Sequence, residues 1–328
     1  MRKIMFIVDG LADLPPSLVA SRSDIKIIDI PIIAVKPGHK ELIFRDLTAD
    51  SFEDADELVQ QGWVTKTSLP TVYQSENEEK YGILSVERAT REALDEDYDV
   101  LYLAINSVIS GTFNAVSALY NGLREENPNW RVECVDTECA STGLAMLLSD
   151  LLSIYDRGVI KDLDTAITWI ESNRNRIAMV FSWFEFEYIK NSGKVKALPA
   201  ILGKMFGIHP IGSVEYTDNE RPLISFREKI RGTKRFFGVL ARFISATIED
   251  TRSVITVAHG NCAEKIENLI ETIRVYLPEA TILSGNDWRC GAAIQAHGGP
   301  TSVHINYHRK TPNSLKESEL ILQNILQK

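Results

Sequence analysis

Residues 99–126 read DVLYLAINSVISGTFNAVSALYNGLREE, and the class of the whole chain follows from them. Residues 99–105 form an apolar, β-branched run bounded by polar residues, the pattern of a buried parallel strand. Residues 106–111 make a short polar turn that carries the hydroxyls of Ser107 and Ser110. From Thr112 the period changes, and Phe113, Val116, Leu119, Tyr120 and Leu123 fall on one helical face. A strand, a hydroxyl-rich loop and a helix in succession put the loop at the carboxyl edge of a parallel sheet. The first helical N–H groups are unpaired there and the helix dipole favours negative charge, so the loop is a candidate anion site. Hydroxyls beside those N–H groups can donate to an oxyanion. The alternative is that Ser110 or Thr112 only caps the helix.

Around this stretch lies a chain of 328 residues, long enough for one large or two medium domains. It is 44% hydrophobic and 25% charged, as globular proteins with a sizeable core are. The formal net charge of −9 argues against nucleic acid or an anionic membrane as the main partner, because both demand basic surface. A small anion held by a few local donors remains compatible with it. Cys134, Cys139, Cys262 and Cys290 form no CxxC pair, so neither a zinc site nor a disulfide framework is expected. Reduced thiols in the cytoplasm are the simpler account. The start, MRKIMFIVDG, has too short an apolar run before Asp9 for a signal peptide, and no run approaches a transmembrane helix in length.

Residues 3–8 read as a first strand, residues 9–16 as the turn after it, and a helix follows with Pro16 near its first position. Residues 25–34 read as a second strand, irregular or at a sheet edge because of Pro31. A polar loop or hairpin around Pro37-Gly38 spans residues 36–46, and an acidic amphipathic helix spans 49–60. Residues 64–71 (VTKTSLPT) form a hydroxyl-dense loop, and a helical stretch leads through 71–94. Residues 130–135 are a strand and 141–155 a helix. Strands alternating with helices mean a parallel sheet.

A domain boundary is expected at Arg157-Gly158. Beyond it come a helix at 163–172, a strand at 176–181, a basic segment at 187–198 and a helix at 198–206. Paired strands at 208–214 and 223–229 are joined by a polar hairpin at 217–220. A helix at 233–247, a strand at 253–258, a helix at 262–276, strands at 280–284 and 303–307 and a helix at 314–326 complete the chain. The expected class is α/β with two domains. Residues 1–158 carry a parallel, Rossmann-like sheet, residues 159–312 a mixed sheet, and residues 313–328 a C-terminal helix.

Four hydroxyl or basic clusters fall at expected loop positions: Thr67-Ser68, Ser107/Ser110/Thr112, residues 190–194 (KNSGK) and residues 296–301 (AHGGPT). Ligands of open α/β sheets bind outside the carboxyl ends of the strands, where the first two can lie. His297 precedes Gly298-Gly299-Pro300, a tight turn that lets backbone approach a ligand; the alternative is a loop histidine bonded to backbone. No GxSxG, GxxxxGK[ST], GxGxxG or HExxH occurs. Asp9 and Asp13 follow a strand as metal-binding carboxylates do, but the further Asp and His ligands such a site needs are missing, and turn chemistry or a helix cap explains them.

Taken together, these segments resemble the DegV family of fatty-acid-binding proteins over nearly the whole chain. IVDGLADLP at residues 7–15 is similar to the family's V-D-S-T-A-D-L-P, and KTSLPT at 66–71 to its T-T-S-Q-P-S. NSVISGTFNA at 106–115 resembles S-S-x-L-S-G-T-Y-x-S-A, and VDTECASTG at 135–143 matches V-D-T-x-x-A-S-x-G. EYIKNSGKV at 187–195 resembles E-Y-L-x-K-G-G-R, KIRGTKR at 229–235 resembles V-R-x-x-K-K, and AHGGPTSV at 296–303 resembles the terminal H-x-G-P-G. Each motif is weak alone; seven in one order are specific. Gly10, Leu69, Ser192 and Thr301 depart from the family pattern.

The resemblance implies a two-domain protein that buries one long-chain fatty acid between its domains and needs no cofactor or metal. The carboxylate is implied to be held by Thr67, Ser68 and Ser107 with His297. Ser110, Gly111, Thr112, Lys190, Gly298 and Gly299 would lie near the head group or the mouth, and Arg231 and Lys194 are implied partner contacts. Family members present the acid to a separate ATP-dependent fatty acid kinase, which makes an acyl phosphate for bacterial phospholipid synthesis in the cytoplasm. On that reading this chain has no catalytic activity of its own, and only transient membrane contact. Physical chemistry is consistent with it: each buried methylene contributes about 0.8 kcal/mol, while a few charge-assisted hydrogen bonds fix the head group. The competing hypothesis is an acyl- or phosphoryl-processing enzyme on the same scaffold, with Asp9, Asp13 and His297 as acid/base groups.

Overall fold

The structure, a computed structural model, describes residues 2–45, 58, 61–71, 83–184, 207–217, 222–311 and 314–327. Packing divides the chain into two compact units, Met1–Arg174 with Gly291–His297, and Asn175–Cys290 with Gly298–Lys328. The first unit runs β1 (Lys3–Asp9), α1 (Pro16–Ala20), β2 (Ile25–Ile28), β3 (Pro31–Val35), β4 (Leu42–Arg45) and β5 (Val64–Thr67). It continues with α2 (Val86–Asp95), β6 (Tyr98–Ala104), α3 (Thr112–Glu126), β7 (Val132–Asp136), α4 (Thr142–Asp156) and α5 (Leu163–Asn173). The second unit runs β8 (Ile177–Trp183), β9 (Ile208–Tyr216), β10 (Pro222–Arg231), α6 (Thr233–Thr247), β11 (Val254–His259), α7 (Ala263–Tyr276) and β12 (Thr281–Leu283). After it come α8 (Ala292–Gly298), which lies almost wholly in the first unit, and then β13 (Ser302–His308) and α9 (Leu315–Leu326) of the second.

Four strands of the first unit form a parallel sheet in the order β2-β1-β6-β7. Alternate residues face opposite sides. Met5, Ile7, Val100, Tyr102 and Ala104 pack against Val86, Ala89 and Ala93 of α2 and Val116, Tyr120 and Leu123 of α3. On the other side Phe6 meets the ring of Tyr155 from α4, edge to face at 5.4 Å. With helices on both faces the strands have no wet side, which is why β6 reads as a continuous apolar run.

Residues 25–34 are not one strand. β2 ends at Ile28, the chain turns through buried Asp29 and Ile30, and β3 leaves for a separate antiparallel sheet in the order β4-β3-β5. Pro31, which has no N–H to donate, opens β3, a place in a strand that proline tolerates. β3 and β4 form the hairpin expected around Gly38, whose φ of +80° suits glycine. The hydroxyl-dense segment expected as a loop is largely strand: Thr65 and Thr67 alternate with exposed Val64 and Lys66 in β5. The α1 helix does begin with Pro16 at its first position.

The second unit holds a mixed sheet in the order β10-β9-β8-β13-β11-β12, parallel only between β11 and β12. Val180, Ile211, Ile255, Val257, Ile305 and Tyr307 pack on Phe236, Leu240 and Ile244 of α6, Leu269 of α7 and Leu322 of α9. The C-terminal helix is thus part of this unit. Arg309, buried just past the end of β13, donates to Glu215 Oε2 (3.4 Å) and Ser318 Oγ (3.2 Å), and Ser213 Oγ donates to Glu215 Oε1 (2.9 Å), so a buried ion pair joins the end of β13 to β9, and Ser318, which also donates to Glu215 Oε2 (3.1 Å), ties α9 to it.

The packing puts α5 in the first unit, against α4, where the sequence reading began the second domain at residue 159. The expected elements at 187–198 and 198–206, nearly all of 49–60, much of 71–94 and most of the turn at 217–220 lie outside the described residues, and Lys190 and Lys194 with them. Among the described residues no helix is long and apolar enough to cross a membrane.

Candidate functional site

The carboxyl edge of the parallel sheet is built around Asn106, fully buried at the end of β6. Its Nδ2 donates to the Glu138 carbonyl (2.7 Å), its Oδ1 accepts from Val108 N (2.8 Å), and its N–H donates to the Cys139 carbonyl (2.8 Å). Asp136, ending β7, accepts from Ser107 N (3.2 Å) and Glu138 N (2.9 Å) through Oδ1. The loop that carries Ser107 is therefore fixed at its backbone by the end of β7 and the turn that follows it. Gly111 stands at the N-cap of α3 with no side-chain cap, while Ser110 Oγ accepts from Thr112 N (3.3 Å) and lies 2.9 Å from Thr112 Oγ1. The hydroxyls do gather at the helix start, and no acidic residue stands in its first turn.

Thr67 and His297 meet. Thr67 Oγ1 and His297 Nε2 are 2.8 Å apart across 230 residues of sequence. Two residues earlier on the same strand face, Thr65 Oγ1 donates to the Ala296 carbonyl (2.8 Å), and Ile32 of β3 packs on Ala292 and Ala296. His297 is not on a loop as expected: it lies in the last turn of α8, and the tight turn begins after it. Gly298 and Gly299 belong to the second unit, where Asn261 N donates to Pro300 O and Phe184 N to Thr301 O (3.1 Å). Ser68 is exposed, its N–H donating to Pro31 O (3.4 Å). Arg231 is exposed at the end of β10, close in sequence to exposed Lys234 and Arg235.

Asp9 and Asp13 are structural in their visible contacts. Asp9 is buried and accepts from Leu11 N (3.0 Å) and Tyr102 Oη (3.0 Å). Burial pushes its carboxyl up to about 6, against the lowering effect of the Tyr102 and Leu11 hydrogen bonds. Asp13, with φ +45°, accepts from Gly291 N (2.7 Å) and from the Ser141 hydroxyl. The cap reading of Asp9 therefore holds; Asp13 instead joins segments far apart in sequence. Among the described residues no group of three or more His, Cys, Asp or Glu side chains gathers as a metal site would require.

The sequence reading missed Thr65, Asn106 and Asp136 as supports. The signal for Thr65 was its spacing of two from Thr67, a strand period hidden among hydroxyl residues that also suit loops.

A known family and several known proteins are similar to the chain. The profile of a family described as "Uncharacterised protein, DegV family" matches residues 3–310. A DegV domain-containing protein of Clostridium perfringens is 26% identical over 300 residues, which cover 91% of this chain and 95% of the relative. Among solved structures, a fatty acid binding DegV family protein of Streptococcus agalactiae superposes with a TM-score of 0.72 at 24% identity, covering 95% of this chain and all of that one. The Fatty Acid Kinase (Fak) B3 protein of Streptococcus pneumoniae, loaded with linoleic acid, gives 0.71 at 15% identity, covering 94% of this chain and 99% of that one.

Proposed function

The chain belongs to the DegV family, and on that ground we propose that it binds one long-chain fatty acid, with the carboxylate held by Thr67, Ser107 and His297, and presents it to a separate ATP-dependent fatty acid kinase. The observation that carries the reading is the 2.8 Å contact between Thr67 and His297, which unites two of the seven family-like motifs at a hydroxyl–imidazole pair. Hydroxyl and imidazole donors suit a carboxylate and call for little formal positive charge, in keeping with a net charge of −9. The fatty acid binding protein of Streptococcus agalactiae and the linoleic-acid-loaded Fatty Acid Kinase (Fak) B3 protein of Streptococcus pneumoniae support the ligand class, and the kinase in the latter's name supports the partner. Ser68 is assigned to the carboxylate with Thr67, Ser107 and His297, Ser110, Gly111, Thr112, Gly298, Gly299 and Lys190 to the surroundings of the head group or the mouth, and Arg231 and Lys194 to the kinase contact. Catalysis resides in the partner, in a cytoplasmic route to phospholipid.

The test is a fluorescent fatty-acid displacement assay on Thr67→Ala/Ser107→Ala. Two lost charge-assisted hydrogen bonds at about 1.5 kcal/mol each weaken acid binding roughly 100-fold, with a fatty alcohol of the same length little affected. Undiminished acid binding overturns the site. Acyl phosphate formed by the chain and ATP without a kinase overturns the division of labour.

A further inference from the structure

Gly291–His297 is packed into the first unit, although the chain on either side of it belongs to the second. Cys290 N donates to His259 O (3.1 Å) within the second unit, and the next residue, Gly291, donates its N–H to Asp13 Oδ1 (2.7 Å) within the first. At the far end of the segment Thr65 Oγ1 donates to Ala296 O (2.8 Å), one residue before His297 meets Thr67. The segment is thus pinned at both ends. Between the pins runs α8, whose backbone hydrogen bonds are internal to the helix. Asp13 is itself held in place: it is buried, it takes the left-handed conformation that Asp and Asn tolerate better than most residues, and it accepts the Ser141 hydroxyl through its second oxygen. Ser141 N in turn donates to Leu11 O (2.8 Å), which closes the turn after β1 onto the entry to α4.

We propose that Asp13 and Thr65 are positioning residues that dock Gly291–His297 as a strap on the first unit, and that this docking sets His297 against Thr67 and so fixes selectivity for a carboxylate head group. The second half of this statement rests on the fatty-acid reading; the first does not.

The experiment uses the delipidated full chain and the variants Asp13→Ala, Asp13→Asn and Thr65→Val. Hydrogen exchange is followed for residues 291–297 and for β1 and β6, the ring nitrogen shifts of His297 are recorded by NMR, and Kd is measured for oleic acid and oleyl alcohol. Asp13→Ala should speed exchange in the strap about tenfold with β1 and β6 unchanged, alter the His297 ring shifts, and lower the acid-over-alcohol preference about tenfold. Asp13→Asn keeps an acceptor for Gly291 N and a partner for Ser141, and should restore all three readouts. Thr65→Val keeps the side-chain shape and the backbone conformation, so it tests the same dock should Asp13→Ala fail to fold. Strap exchange and His297 shifts that match wild type in Asp13→Ala and Thr65→Val overturn the proposal, as does faster exchange spread evenly over β1 and β6. A strap that loosens while the acid preference stays overturns its link to selectivity. If wild type binds neither ligand, the fatty-acid reading falls alone, and exchange with the His297 shifts still decides whether Asp13 and Thr65 place the histidine.

Discussion

Replacing Asp9 by asparagine should stabilise the protein at neutral pH. Asp9 is buried at the end of β1, and its carboxyl is pushed from the ordinary 3.8 up to about 6, chiefly by desolvation. Between these values the folded chain keeps a proton that the unfolded chain has lost. Stability therefore falls as pH rises from about 4 to 6, and the full cost stands above pH 6. At about 1.4 kcal/mol per pH unit, the interval from 3.8 to about 6 amounts to about 3 kcal/mol. The asparagine side chain has nearly the shape of the protonated acid, can accept from Leu11 N and can donate to Tyr102 Oη. Wild type and Asp9→Asn should thus be equally stable near pH 4, and the variant more stable by about 3 kcal/mol at pH 8. The difference between the two chains is the quantity to measure, because histidines in the second unit act in the opposite sense. Burial lowers His304 to about 4, so its contribution is lost as pH falls from 6.5 toward 4, and burial also lowers His209 and His259. Urea unfolding of delipidated protein at pH 4, 5, 6, 7 and 8, followed by tryptophan fluorescence and far-UV circular dichroism, supplies the curve. A variant no more stable than wild type at pH 8, or a difference that does not change with pH, would show that Asp9 carries no such burial cost.

Arg309→Met leaves Glu215 and its hydroxyl partners buried without their cation and should cost about 3–5 kcal/mol in urea unfolding; Glu215→Met added to it should recover part of that loss, and a single variant as stable as wild type counts against a buried ion pair here. Gly260→Ala brings a Cβ to 2.6 Å from Pro300 O and 2.8 Å from Gly299 O, backbone atoms that cannot swing aside. Gly212→Ala brings a Cβ onto the Phe181 ring, a side chain rather than backbone. The first should lower the melting temperature by an amount equivalent to about 2 kcal/mol or more, and the second by clearly less; the reverse order would be at odds with the packing.

What the sequence disclosed depended on the range of the interaction. The unit β6–loop–α3 was legible because buried parallel strands and amphipathic helices write different periods into adjacent residues. The same holds for the paired β9 and β10 and for α6, whose expected bounds of 233–247 are the observed Thr233–Thr247. Residues 25–34 misled because their apolar run crosses two sheets, and only Asp29 and Pro31 hint at the break. Thr65 and Thr67 misled because hydroxyl residues suit both loops and strands, and the partner strand that decides, β3, is remote in sequence. His297 could be singled out by its motif, but not its place on a helix, since α8 is a short element held by Asp13 and Thr65 from far earlier in the chain. The Glu215–Arg309 pair was invisible for the same reason: 94 residues separate its members, and charge alone does not choose among 36 basic and 45 acidic side chains.

The fatty-acid reading meets its sharpest test in native mass spectrometry of the purified full chain, followed by denaturing extraction. A lipid carrier gives a native adduct whose mass equals that of a long-chain fatty acid recovered in the extract, at one per chain, and its Thr67→Ala/Ser107→Ala variant arrives empty. A wild-type chain that arrives empty and takes up no oleic acid when it is offered is not a fatty-acid carrier.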